Sequence, residues 1–172
     1  LNEYYNFVRP FYTRTTDMDE QATIWAISNM KPSSFDFNPK SFLYGGSYLY
    51  PVAFIIKLFS ICGFGTLNSD IKYYFANPDE LKKIFISGRF VVGLSVLAQT
   101  IIIFLICLKV SNKKIAYLLT LIFITLPAIT AYKTFLKPHI YAPMFNLIAI
   151  YLIMLIPDKQ RHIEKIFCIV AI

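Results

Sequence analysis

Charge is scarce in this sequence. Asp, Glu, Lys and Arg make up 16% of its 172 residues, where an average soluble domain carries about 25%. That deficit, paired with 56% apolar side chains, excludes a disordered chain and argues against an ordinary soluble domain, whose core cannot absorb so much apolar surface. Cysteine is scarce too. Cys62, Cys107 and Cys168 each sit inside an apolar stretch with no disulfide or metal spacing between them, so they read as small core or lipid-facing side chains. Nucleotide and zinc signatures are missing: Gly63-Phe64-Gly65 is followed by Asn68 where a dinucleotide fingerprint needs its third glycine, and there is no P-loop, HExxH, GxSxG or CxxC. A nucleotide-dependent or zinc mechanism has no support in these residues. No cofactor is expected, with a divalent metal left open. The net charge of +7 comes from 17 basic residues scattered between apolar runs, which fits lysines at a membrane edge and not a nucleic-acid surface.

What is present points to a bilayer as solvent, with a mean hydropathy of +0.54. Phe90 to Leu108 runs 19 residues without a charge, about 28 Å as a helix against a ~30 Å hydrocarbon core. Ile115 to Tyr132 gives a second run, with Pro127 placed to kink or loosen its last turn. Ile140 to Ile156 gives a third, containing Pro143 and Asn146, and a fourth begins at Ile166 and is cut off at Ile172. Lys109, Lys113 and Lys114 follow the first run, and Lys159, Arg161 and Lys165 follow the third; only Lys133 and Lys137 separate the second from the third. The two three-base loops share a side, which the positive-inside rule makes cytoplasmic, so the 133–138 loop faces out. The chain starts at Leu1 without a signal peptide and ends inside an apolar run, and is read as an N-terminal piece of a longer membrane protein.

The first 50 residues differ in character. They hold five of the ten acids and twelve aromatics, including the lone Trp25, and read as an ordered, membrane-hugging segment. The stretch from Leu43 to Leu67 is apolar but interrupted by Gly45, Gly46, Pro51 and Lys57; it either spans or lies in the interface as a helix from about Pro51 to Cys62.

Three clusters hold groups with usable chemistry. Asp17-Met18-Asp19-Glu20 precedes a helical stretch; Asp17 with Glu20 resembles a capping box, and acids suit a helix N-terminus. A carboxylate there is equally placed to act as a general base towards an acceptor hydroxyl. The segment from Asp36 to Pro51, with Lys40, Tyr44, Gly45 and Gly46, reads either as a turn-rich interfacial aromatic belt or as a saccharide or prenyl-lipid surface. Lys133-Thr134-Phe135-Leu136-Lys137-Pro138-His139 places two lysines four apart, on one face if helical, either snorkelling or holding a lipid phosphate with His139. Arg89 opens the first clear run, and an arginine at an outer membrane edge suits snorkelling or a phosphate contact.

Taken in order, Asp19-Glu20, the helix Ile24 to Met30, Asn38-Pro39-Lys40-Ser41-Phe42-Leu43-Tyr44-Gly45, Pro51 to Cys62, Ser87-Gly88-Arg89-Phe90 and Lys137-Pro138-His139 resemble the start of a C-type-fold integral-membrane glycosyltransferase. The family is that of the protein O-mannosyltransferases and lipid A aminoarabinose transferases. The resemblance implies an all-α, polytopic transmembrane protein of the cell membrane (cytoplasmic or inner), with residues 1–88 as an extracytoplasmic loop carrying interfacial helices at about 20–30 and 51–62. Transmembrane helices then occupy about 90–108, 115–132, 140–156 and a truncated 166–172. It implies transfer of a hexosyl or pentosyl group from a polyprenyl-phosphate donor to a glycan, lipid or protein acceptor at the outer face. Asp19 becomes the candidate base with Glu20 as its neighbour, and Arg89, Lys137, His139, Lys40 and Tyr44 become candidates for the donor phosphate or substrate. The family pattern has a basic residue where Tyr44 stands and, in many members, an acid where His139 stands. The competing expectation is a non-catalytic multi-pass protein such as a lipid-linked saccharide transporter or assembly subunit, which has no particular need of the Asp19-Glu20 pair.

Overall fold

A computed structural model describes residues 18–156 as an all-helical assembly, with a lone bridge between Lys31 and Asp36 as the sole strand-like pairing among them. Helix α1 (Met18–Ser28) opens with Asp19 and Glu20 in its first turn, where carboxylates meet the positive end of the helix dipole. It closes where Ser28 and Asn29 donate side-chain hydrogen bonds to the Trp25 carbonyl, at 2.8 and 3.0 Å, satisfying an orphan acceptor of the last turn. Helix α2 (Gly46–Ile61) starts after Gly45, whose φ of +72° suits a residue without Cβ. It begins earlier than the predicted 51–62 and carries Pro51 inside. Pro51 has no N–H for the Ser47 carbonyl one turn back, and the Tyr141 hydroxyl donates to that carbonyl instead, at 3.0 Å. At 16 residues α2 reaches about 24 Å, short of a ~30 Å hydrocarbon core.

A short helix α3 (Ile71–Ala76) is capped by the Asp70 side chain. Helix α4 (Pro78–Val110) has proline at its start, Asp79 and Glu80 in its first turn and Lys109 in its last, and runs unbroken through the predicted boundary at residue 88. It contains no breaker, and its early charges project from the helix without interrupting it. Asn112 then caps α5 (Lys113–Thr125), accepting from the Ile115 amide at 3.0 Å. The predicted second run breaks at Leu126, and α6 (Pro127–Tyr132) restarts at Pro127, because proline cannot continue the ladder but suits a first turn. The third run becomes α7 (Pro138–Leu155). The predicted segment 166–172, Asp17 and Cys168 lie outside the described residues.

Helix α4 is the hub: α7, α5, α2 and α3 all pack on it, and α1 packs on α2. The core lies at its first half, where Tyr48, Leu49, Val52 and Ile56 meet Val91, Val92, Leu136 and Ile140. Beyond that point the apolar side chains turn outward, among them Leu97 and Ile101 of α4, Leu118, Leu121 and Ile122 of α5, and Leu152 and Ile153 of α7. Helices α4 and α7 are both long and apolar enough to cross a membrane, with mean hydropathies of 2.6 and 1.5 over their best windows.

Candidate functional site

Four elements converge on the two acids of α1. The Glu20 side chain is completely buried. Its oxygens accept from Arg89 in the fork geometry that guanidinium and carboxylate share, Nε to Oε1 and Nη2 to Oε2, both at 2.8 Å. Oε1 also accepts the Leu136 amide at 2.7 Å. One carboxylate thereby ties α1 to the middle of α4 and to the turn between α6 and α7. A buried charge of this kind is tolerable only with such full pairing. The capping-box role suggested for Glu20 is not the one it takes: its carboxylate is committed to these long-range partners.

Asp19 points the other way and remains about one-third exposed. The Tyr44 hydroxyl donates to its Oδ1 at 2.7 Å, and the Lys137 ammonium lies 3.2 Å from its Oδ2. Thr23 holds the helix turn beneath it by donating to the Asp19 carbonyl at 3.0 Å. The hydrogen bond from Tyr44, then Lys137 and more distantly the charge of His139, hold the Asp19 carboxyl below its ordinary value. Desolvation opposes them. Below the pair, the buried Tyr48 hydroxyl sits beside Thr23 without a well-formed hydrogen bond among the described residues, and burial pushes that phenol well above its usual range.

The turn at residues 133–137 is shaped by what it inserts. Leu136 is fully buried against Gly88, where a Cβ would come within 2.9 Å of a Leu136 methyl and 3.5 Å of Val52. That close approach brings the Leu136 amide to Glu20 and the following Lys137 to Asp19. Lys133 and Lys137 share no helical face, because α6 stops at Tyr132 and α7 starts at Pro138; Lys133 is exposed while Lys137 lies over the Tyr132 and Phe135 rings at 5.6 and 6.0 Å.

No protein-family model matches the chain, and no curated protein or solved structure matches it either.

Of the residues singled out in the sequence, Asp19, Glu20, Tyr44, Arg89 and Lys137 meet in one cluster, with the exposed His139 at its rim. Lys40 lies apart: it is exposed, at φ +59°, and 3.7 Å from Asp36. Sequence reasoning passed over Leu136 and Thr23, the residues that brace the acids. The small Gly88 beside Arg89 was the available sign that another chain segment comes close there. Among the described residues no three His, Cys, Asp or Glu side chains gather as a metal site.

The arrangement separates two jobs for adjacent carboxylates. Glu20 is a buried anchor, and Asp19 is an ionised, solvent-reachable acceptor of protons. A phenol and an ammonium fix its oxygens.

Proposed function

We propose that this chain carries the acceptor-activating site of an integral-membrane glycosyltransferase, which moves a sugar from a polyprenyl-phosphate donor to a hydroxyl of a glycan, lipid or protein acceptor at the outer face of the membrane. The observation that supports this most is the reachable Asp19 carboxylate set on a rigid anchor, with Lys137 beside it. The acceptor oxygen attacks the anomeric carbon while its proton passes to Asp19. The bond from that carbon to the phosphate oxygen breaks, and polyprenyl phosphate leaves with the electron pair. Lys137 is the cation nearest to Asp19 that a phosphate could share. A lipid-borne donor reaches the site sideways from the bilayer, so proximity contributes much of the rate.

The proposed topology follows from length. Thirty-three residues of α4 reach about 50 Å, well beyond a ~30 Å hydrocarbon core, so its charged first third projects outside and Phe90 to Leu108 crosses. Arg89 then marks the outer edge, α2 lies in the interface, and the chain is multi-pass.

The test is Asp19→Asn in the full-length protein in membranes. Transfer of radiolabelled sugar from a polyprenyl-phosphate donor should fall by roughly two to four orders of magnitude with expression unchanged. Unchanged transfer sinks the base assignment, and a wild-type protein that transfers no sugar favours the transporter or assembly-subunit reading. Thiol labelling of Asn112→Cys from the cytoplasmic side only, and of Thr134→Cys from the outer side only, checks the topology.

A further inference from the structure

We propose that Lys137 is shared between Asp19 and the phosphate of the donor, so that donor binding draws the ammonium off the carboxylate and turns Asp19 towards the acceptor. This rests on the glycosyltransferase reading and adds to it an order of events: donor first, then an active base.

The geometry that supports it is a contrast between a pinned backbone and a mobile side chain. The Leu136 amide is held at 2.7 Å by Glu20, which is itself locked by Arg89, and the Leu136 side chain is fully buried against Gly88. The backbone entering Lys137 is therefore fixed. Its side chain is a four-carbon stem ending in a point charge with three rotatable donors, 3.2 Å from Asp19 Oδ2 and still 16% exposed. Moving that ammonium a few ångströms needs only side-chain rotations and leaves the anchor intact. The Tyr132 and Phe135 rings flank it and give the cation a favourable surface along the way. A phosphate brings more charge than one carboxylate and competes for the ammonium. Tyr44 keeps its bond to Oδ1, so Asp19 remains oriented when the lysine leaves. With Lys137 in place, a lone pair of Asp19 that must take the acceptor's proton is occupied; with it drawn away, that lone pair faces outward.

The test is a double-mutant cycle on prenyl-phosphate binding. Farnesyl phosphate is titrated into the detergent-solubilised full-length protein, with phosphatidylglycerol as the anionic-lipid control. Asp19→Asn should tighten farnesyl phosphate about threefold to fivefold, the scale of one released, partly exposed ion pair. The same change in a Lys137→Gln background should alter affinity far less, and in a Lys137→Arg background, which keeps the cation, it should again tighten binding. Equal effects of Asp19→Asn in the Lys and Gln backgrounds overturn the shared lysine, since they reflect only the removal of a nearby negative charge. The same coupling with phosphatidylglycerol but not with farnesyl phosphate also overturns it. If Lys137→Gln does not fold, absence of tightening in both the Lys and Arg backgrounds overturns it instead. A protein that shows the coupling yet transfers no sugar from any prenyl-phosphate donor overturns the enzyme reading and not the shared lysine; one that transfers sugar without the coupling does the reverse.

Discussion

Glu20 and Arg89, 69 residues apart, meet through two parallel 2.8 Å hydrogen bonds, and the same carboxylate receives the amide of Leu136. Three chain segments are joined at one buried atom pair. Removing either partner leaves a charge or an amide unpaired in a place that water does not reach, which is where ion pairs matter most.

Arg89→Ala is therefore expected to destabilise the fold by roughly 3 kcal/mol, the low end for breaking a buried pair because the guanidinium side is one-third exposed. Glu20→Gln is expected to cost less, since an amide oxygen still accepts from Leu136. Thermal or denaturant unfolding in detergent measures both. An Arg89→Ala protein as stable as wild type contradicts the anchor.

Tyr44→Phe removes the largest of the influences that hold the Asp19 carboxyl low. The folded-state value then rises towards that of an ordinary aspartate. Asp19 is needed ionised, so sugar transfer declines as pH falls through its folded value, and the acid limb of the rate profile should move to higher pH in Tyr44→Phe. The stability that the depressed carboxyl contributes is present above the unfolded-state value and lost as pH falls through the folded one; the variant narrows that window. An acid limb at the wild-type position excludes this role for the phenol. Tyr48→Phe makes the control, because it deletes a buried hydroxyl that lacks a well-formed partner and should leave stability unchanged or raise it by up to about 1 kcal/mol.

Gly88→Ala should cost about 1–3 kcal/mol by forcing a methyl into the space that Leu136 fills. Leu136→Ala should cost about 2–5 kcal/mol by leaving that space empty. The two changes are complementary in volume. The double variant should lose less than the sum of the singles, as expected for residues in contact, and strict additivity would show that they do not share the space.

Two prolines inside helices each coincide with a long-range donor. Pro51 leaves the Ser47 carbonyl to Tyr141, and near Pro143, where the first turn of α7 is loosened, the buried Gln99 side chain donates to the Ile140 carbonyl at 2.6 Å. Gln99→Leu should destabilise the α4–α7 contact by about 0.6–1.7 kcal/mol, the range for hydrogen bonds between helices in a membrane. A variant at wild-type stability in detergent unfolding would show that the carbonyl finds another donor.

The order of these helices was legible in the sequence. Apolar runs announced α4, α5 and α7, and Pro127 announced the break before α6. Lys133 and Lys137 were harder: their spacing suited a shared helical face, but Pro138 restarts the chain there and a buried leucine sets the turn. The start of α2 was also missed, because Pro51 looked like a first residue while Tyr141 makes an internal proline tolerable.

The sequence by itself determined where helices form and stop, since hydrophobic run length, proline, glycine and capping residues act within a few residues of one another. It also marked Asp19, Glu20, Arg89, Tyr44 and Lys137 as chemically interesting. Only the tertiary structure decided how they divide the work. Whether an acid is a sealed anchor or an open carboxylate depends on which cation and which amide arrive from residues far away, and on whether water arrives with them. Adjacent in the chain and alike in charge, Glu20 and Asp19 differ because Leu136 seals one beneath Gly88 and leaves the other facing out.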